Sequence, residues 1–360
     1  MKKLTFFLFF VCFALQTKAQ ITTATPFLLV SSDARAGGMG DVGVATSADA
    51  FSIFHNPAKT VFNQNKISVG LNYTPWLRNL TDDIFVGNVS YVNRFKEKAA
   101  WGVDIKYFSL GQVDLTDTDG TSTGTQNPNE FAITGIYSMK LSEKFSMGIG
   151  LKYINSNIDV NDSSIKAVNS FAVDVSGYYQ SDEENYGNFN GRYRLGFNIA
   201  NIGPKVEYTP GEENFIPTNA KIGGGFDFIL DSNNIIGLNL EFTKLLVPSS
   251  GAASSRSWFE GMFTSLGDRS FSEELKETTW ALGAEYLYDN AFALRAGYFH
   301  EHATKGNRKY FTVGLGLKYN VFGLNISYLV PTTNQRNPLD NTLRFSMLFD
   351  FSAFRGDADL

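Results

Sequence analysis

The chain has 360 residues, 31 Lys and Arg against 36 Asp and Glu, and a single cysteine. Cys12 lies inside an apolar run, Leu4 to Leu15, that follows Lys2 and Lys3 and ends near the small residue Ala19, the pattern of a secretory signal peptide over 1–19. Removing it takes away Cys12 and three lysines, which excludes disulfides and thiol nucleophiles from the mature chain, and the 28 basic against 36 acidic residues that remain, a formal charge of −8, argue against a nucleic-acid partner.

A lipoprotein needs its cysteine at the cleavage point, and Cys12 is mid-run. After the signal no apolar run reaches the roughly 18 to 20 residues of a spanning helix, and the mean hydropathy is −0.14. Yet there are 32 Phe, 16 Tyr and 33 Gly. Aromatic and glycine enrichment behind an export signal fits a barrel whose strands put only alternate residues into lipid.

Residues 20–64 come first and carry "RAGGMGDVG" at 35–43, a literal G-x-G-x-x-G formed by Gly38, Gly40 and Gly43. A dinucleotide cradle follows a strand and needs an acid about 20 residues later. Here "TPFLLVSSDARA" breaks at Ser31, and after Asp49 no Asp or Glu appears until Asp82. The better expectation is a flexible approach to a short helix, in which Ser47 or Asp49 caps "ADAFSIFHN" and Pro57 ends it.

From Asn65 onward the sequence falls into segments of about ten residues with period-two alternation, the length a tilted strand needs to cross a bilayer. "WGVDIKY" sets Trp101, Val103, Ile105 and Tyr107 against Gly102, Asp104 and Lys106. "FSMGIGLKY" from Phe145, "FTVGLGLKY" from Phe311 and "FGLNISYLV" from Phe322 repeat the pattern. Isolated charges on the glycine-rich face suit a hydrated or hydrogen-bonded lumen better than a dry core. Strands are expected near 65–73, 83–93, 98–108, 129–140, 144–157, 170–180, 191–201, 218–230, 233–243, 278–287, 291–300, 308–320, 321–330 and 341–351. The expected fold is therefore all-β: a transmembrane antiparallel barrel of about 14 strands over 65–360, preceded by an N-terminal plug that contains a short helix.

Connections after the first, third, fifth and seventh strands are long, whereas "DSN" at 231–233 and "YDN" at 288–290 are tight. Outer-membrane barrels segregate loops in this way, with the long ones outside. "SDEENYGNFN" is somewhat long for a periplasmic turn and "EHATKGN" short for an outer loop. The last strand, "LRFSMLFDF", alternates Leu343, Phe345, Met347, Phe349 and Phe351 outward.

The stretch "DARAGGMGDVGVATSADAFSIFHNPA" resembles the N-terminal segment of the FadL-like outer-membrane barrels, and more closely that of the PorV barrels of the Bacteroidetes type IX secretion system. Asn56, Pro57 and Ala58 match the "NPA" with which the larger family enters its first strand. The resemblance implies that 20–64 folds into the lumen as a hatch, with Gly37, Gly38, Gly40 and Gly43 letting backbone pass close to the wall. It also implies a non-enzymatic outer-membrane component. Its partners would be the giant translocon channel of the SprA/Sov type, the C-terminal signal domains of cargo, the attachment complex, and membrane lipid with lipopolysaccharide. A FadL-type channel for hydrophobic small molecules is the alternative.

Sites of chemistry are sparse. In "HEH" at 300–302, strand alternation puts His300 and His302 on one side and turns Glu301 away, with no third ligand near in sequence, so neither a metal nor a cofactor is expected. His55 reads as a helix-end or packing residue, and the G-x-S-x-G elbow of a hydrolase is missing. The 245–277 connection is the most informative, because loops of its length are uncommon without a role. Trp258, Phe259, Met262, Phe263 and Leu266 form one apolar face of a short helix there, and Trp76 and Leu77 lie at the same end. Such a face contacts a partner protein, folds back as a lid, or lies in the lipid interface.

Overall fold

The computed structural model describes residues 23–31, 33–76, 81, 83–159, 165–249, 256–333 and 342–353, with 352 and 353 by backbone alone. The expected signal peptide, 1–19, and Leu77 lie outside the described residues. Fourteen strands follow one another around the wall: β1 (Asn65–Pro75), β2 (Ile84–Lys96), β3 (Ala99–Leu110), β4 (Asn129–Lys140), β5 (Phe145–Asn157), β6 (Val168–Gln180) and β7 (Asn190–Ile202). The second half comprises β8 (Asn219–Ile229), β9 (Asn234–Leu245), β10 (Thr278–Tyr288), β11 (Phe292–His300), β12 (Lys309–Tyr319), β13 (Phe322–Pro331) and β14 (Leu343–Ala353). Each strand pairs antiparallel with its chain neighbours, and β14 pairs with β1 through Met347↔Leu71 and Phe345↔Tyr73, so the sheet closes. Closure satisfies backbone groups that hydrocarbon cannot hydrogen-bond.

The alternation sets inside and outside as the sequence predicts. On β5, Ser146, Gly148 and Lys152 are buried in the lumen while Ile149 and Leu151 are exposed outside. Outward aromatics gather at two levels. At the long-loop end Tyr73, Phe85 and Tyr107 form a row at 5.4 and 6.0 Å, continued by Phe131, Tyr153 and Phe171 at 6.0 and 5.4 Å. Tyr91 with Trp101 and Phe322 with Phe349 belong to the short-turn end, at 5.3 and 5.5 Å. Paired girdles of this kind bracket an apolar band of membrane depth.

Two connections hold more structure than the sequence suggests. The third folds into a hairpin, Val113–Thr116 against Ser122–Gln126, and the 245–277 connection contains two helices, α3 (Trp258–Thr264) and α4 (Phe271–Glu277). Within the lumen, residues 23–64 form the plug, with α1 (Ala34–Gly37), α2 (Ser52–His55) and 3-10 turns at Pro26–Leu29 and Pro57–Phe62. The plug helix is shorter than expected, and neither Ser47 nor Asp49 is its cap residue. Asp49 instead accepts from Phe51 N–H at 3.0 Å, two residues ahead, as in an Asx turn. Asn56 stops α2, and its side chain accepts from Ala58 N–H at 3.0 Å, so Pro57 opens a new turn rather than ending the old one.

Candidate functional site

The lumen wall is studded with charges, and the plug supplies their partners. Arg35, the second residue of α1, donates to Glu285 of β10 at 2.9 and 2.7 Å and to Asp49 at 3.0 Å. Glu285 also accepts from Arg295 of β11 at 2.7 Å, and Arg295 donates onward to Asn325 of β13 at 2.8 Å. Asp41 pairs with Arg344 of β14 and accepts from the Tyr310 hydroxyl at 2.7 Å. Buried charges are tolerated when paired and hydrogen-bonded like this, and each becomes costly once its partner is lost.

Backbone groups of the plug are satisfied in the same manner. Glu241 of β9 accepts from Gly43 and Val44 N–H at 2.8 Å each, and Lys59 donates to Gly43 O at 2.6 Å and Thr46 Oγ1 at 2.8 Å. The NPA residues touch two neighbouring strands, β6 and β5: Asn56 Nδ2 reaches Gly177 O at 3.1 Å, Ala58 N–H reaches Ser176 Oγ at 3.0 Å, and Ser146 Oγ donates to Ala58 O at 2.6 Å. Pro57 is buried between them. His55 Nε2 lies 2.6 Å from Asp33 Oδ2, joining the two plug helices. Burial opposes ionisation of Asp33, but its hydrogen bond and charge contact with His55, helped by Ala36 N–H, hold the carboxyl at about 2. Burial pushes the Lys59 ammonium down to about 8.

The four glycines sit where backbone meets neighbour. A Cβ on Gly38 would stand 2.9 Å from Gly314 Cα on β12, and Gly40 takes φ 71° with Tyr298 O of β11 at 2.9 Å from where its Cβ would be. Gly37 faces the Arg344 side chain, while Gly43 faces the His55 ring and so serves packing within the plug rather than against the wall. At the long-loop end Phe27 and Leu28 pack with Phe108, Ile154 and Ile216 into an apolar cluster. Below it a cavity beside Phe54, Lys106 and Asp174 holds about 20 Å³, room for one water.

On the 245–277 loop, Ser257 caps α3 by accepting from Glu260 N–H at 3.2 Å. Gly261 packs on Phe215 and Pro248, which seats the helix on the neighbouring loop. Trp258 and Met262 are half-buried beside that contact, whereas Phe259, Phe263 and Leu266 are exposed. The expected single apolar face is thus divided between seating and display. Trp76 is half-buried, edge-on to Phe108 at 6.3 Å.

The histidines outside the plug do not form a cluster. β11 ends at His300, so strand alternation does not extend to His302. The His300 ring stacks on Trp280 at 5.1 Å, His302 Nδ1 lies 2.9 Å from Thr304 Oγ1, and Glu301 is buried in a pair with Arg308 at 2.8 Å. Asp268, Glu274 and Glu277 lie close together, but Lys244 meets both glutamates, at 2.6 and 3.0 Å, and Lys305 meets Glu277 at 2.8 Å. The sequence reading missed Arg35, Asp41, Glu241, Glu285, Arg295 and Arg344. For Glu241, Glu285, Arg295 and Arg344 the signal was a charge at lumen parity within an apolar strand, the same signal that singled out Asp104 and Lys106, whereas Arg35 and Asp41 lie in the plug and carried no such pattern.

Comparison with protein families matches residues 13–252, two thirds of the chain, to the family described as type IX secretion system protein PorV. No curated protein matches. Among solved structures, the Ralstonia pickettii toluene transporter TbuX is similar with a TM-score of 0.52 at 12% identity, covering 91% of this chain and 100% of that one. A deletion mutant of the monoaromatic hydrocarbon channel TodX gives 0.55 at 11% over 89% and 99% of the two chains, and the monoaromatic hydrocarbon channel CymD gives 0.51 at 13% over 90% and 98%. Identities this low speak for the shared barrel fold alone.

Proposed function

The chain belongs to the PorV family of type IX secretion system proteins, an outer-membrane β-barrel component of that system, and from that premise we propose that it binds the C-terminal signal domain of exported cargo near the translocon and passes the cargo to the surface attachment complex. No catalytic step is involved. In this reading the long loops face the cell exterior, and cargo is handled on them rather than through the lumen, whose plug is bonded to the wall on β4, β5, β6, β7, β9, β10, β12 and β14. The observation that carries the reading beyond the family is the face of α3. Phe259 and Phe263 on α3, and Leu266 two residues past its end, are exposed at the long-loop end, and aromatic residues of this kind are enriched at interface cores.

A channel for hydrophobic small molecules calls for an apolar chamber beneath the plug. The described lumen is crossed by Arg35–Glu285–Arg295, Arg194–Asp227 at 2.7 Å and Lys152–Asp174 at 3.1 Å, a poor lining for hydrocarbon. The test is a pull-down from native membranes. Wild-type protein should recover large exported proteins bearing a C-terminal signal domain. Deletion of residues 258–266 should abolish that recovery while the barrel stays folded and heat-modifiable on gels. Unchanged cargo recovery would remove α3 from the contact surface, and retention of lipid or detergent in the lumen would favour the channel.

A further inference from the structure

Helix α4 is tied to the outside of the wall. Along β9, Leu238, Leu240 and Phe242 are exposed outward while Asn239 and Glu241 are buried inward, so Lys244 continues the outward row. Its ammonium meets Glu274 at 2.6 Å and Glu277 at 3.0 Å, and Lys305 of the 301–308 loop meets Glu277 at 2.8 Å. Thr278, opposite Lys244 in the ladder, caps α4 and begins β10. These ties place the helix on the outer flank of β9 to β11.

Its height follows from the strand it enters. Three residues after Glu277 comes Trp280, which with Tyr298 and Phe311 forms an outward aromatic row at 5.5 and 4.9 Å. Rows of Trp and Tyr on the outer face mark the headgroup level of a bilayer. On that flank and at that level, the neighbour of the protein is lipid.

The sequence of α4 fits such a neighbour. Glu274 and Glu277 are spent on Lys244 and Lys305, and Glu273 on Lys276 at 2.6 Å. Phe271 and Leu275, spaced i and i+4, share a face beside that of the two anchoring glutamates and are 79% and 59% exposed. A short amphipathic helix at a membrane surface buries its apolar face at the boundary of headgroups and acyl chains. We propose that α4 is an interfacial membrane anchor, with Phe271 and Leu275 inserted into the leaflet at the long-loop end as a continuation of the lipid contact made by Phe242 and Leu282. The anchor holds the 245–277 loop against the membrane and leaves α3 free for protein.

The absence of cysteine after Cys12 allows a single probe to be placed at will. Leu275→Cys, spin-labelled and reconstituted into vesicles of phospholipid with lipopolysaccharide, should collide several-fold more often with oxygen than with a water-soluble nickel chelate. Leu282→Cys on the lipid-facing wall and Ser122→Cys on the exposed hairpin supply the two reference behaviours, and Phe271→Cys repeats the measurement one turn away. Nickel-dominated collisions like those at Ser122, or shielding from both reagents as in a protein contact, would overturn the anchor. Either result leaves the cargo reading standing, since that reading depends on α3 and is tested by recovery of cargo.

Discussion

The plug and the 245–277 loop are built from similar parts, helices of one or two turns joined by irregular backbone, yet they meet opposite surroundings. Inside the lumen, Arg35, Asp41 and the Gly43 and Val44 amides find a wall residue each, and Phe51, Ile53 and Met39 are fully buried. On the loop, α3 and α4 are held by a few contacts at their edges and keep five large apolar side chains exposed. Where charged groups are paired with the wall the segment is part of the scaffold. Where apolar groups are left open, the segment is built to meet something else.

The sharpest way to break that contrast is to strand the charges of the plug. Glu285→Ala would leave Arg35 and Arg295 without their carboxylate, a loss of about 3 to 5 kcal/mol for a buried pair broken on one side. Denaturant unfolding of the detergent-solubilised barrel should show it as an earlier transition, and an unchanged midpoint would mean the plug is not coupled to the wall. Gly38→Val, which sets a branched side chain against Gly314, should cost about 1 to 3 kcal/mol as overpacking. Limited proteolysis should then cut the plug while the strands resist.

Acid gives a milder probe. The Asp33 carboxyl has its folded value at about 2 against 3.8 unperturbed. A carboxylate with a depressed folded value stabilises the native state fully above its unfolded pKa, and that contribution is lost as pH falls from about 4 through about 2. Protection factors over residues 33–55, taken relative to the intrinsic exchange rate at each pH, should therefore fall on acidification within this window, and Asp33→Asn should flatten the dependence. At the small end, Phe263→Ser on the exposed face of α3 should change stability by no more than about 0.5 kcal/mol. Cargo recovery should nonetheless fall, and equal loss of stability and recovery would place Phe263 in the scaffold instead.

Much of the cylinder was legible because its physics is local. Trp101, Ile105 and Tyr107 face lipid and Asp104 and Lys106 face inward for the reason the alternation states: successive side chains of a strand point to opposite sides. The plug was announced by its glycines and by Asn56-Pro57-Ala58. Its bonds were hidden, since Arg35 and Glu285 are 250 positions apart and nothing local joins them. Helix α4 was not among the expected elements, and nothing local in "FSEELKE" shows that two of its three glutamates bind Lys244 across a strand pair. The apolar spacing of 258–266 correctly gave a helix but not which half of the face Phe215 would cover.

The seam between β1 and β14 carries a consequence for how the molecule is made. Ala34 N–H donates to Ser346 Oγ at 2.7 Å and Asp41 holds Arg344, both on β14. The plug, which precedes the barrel in the chain, is thus fastened in part by the last described strand. A sheet lacking β14 has no sealed circumference and lacks two of the wall residues that hold the plug, so the cylinder closes around its filling only when that strand docks against β1.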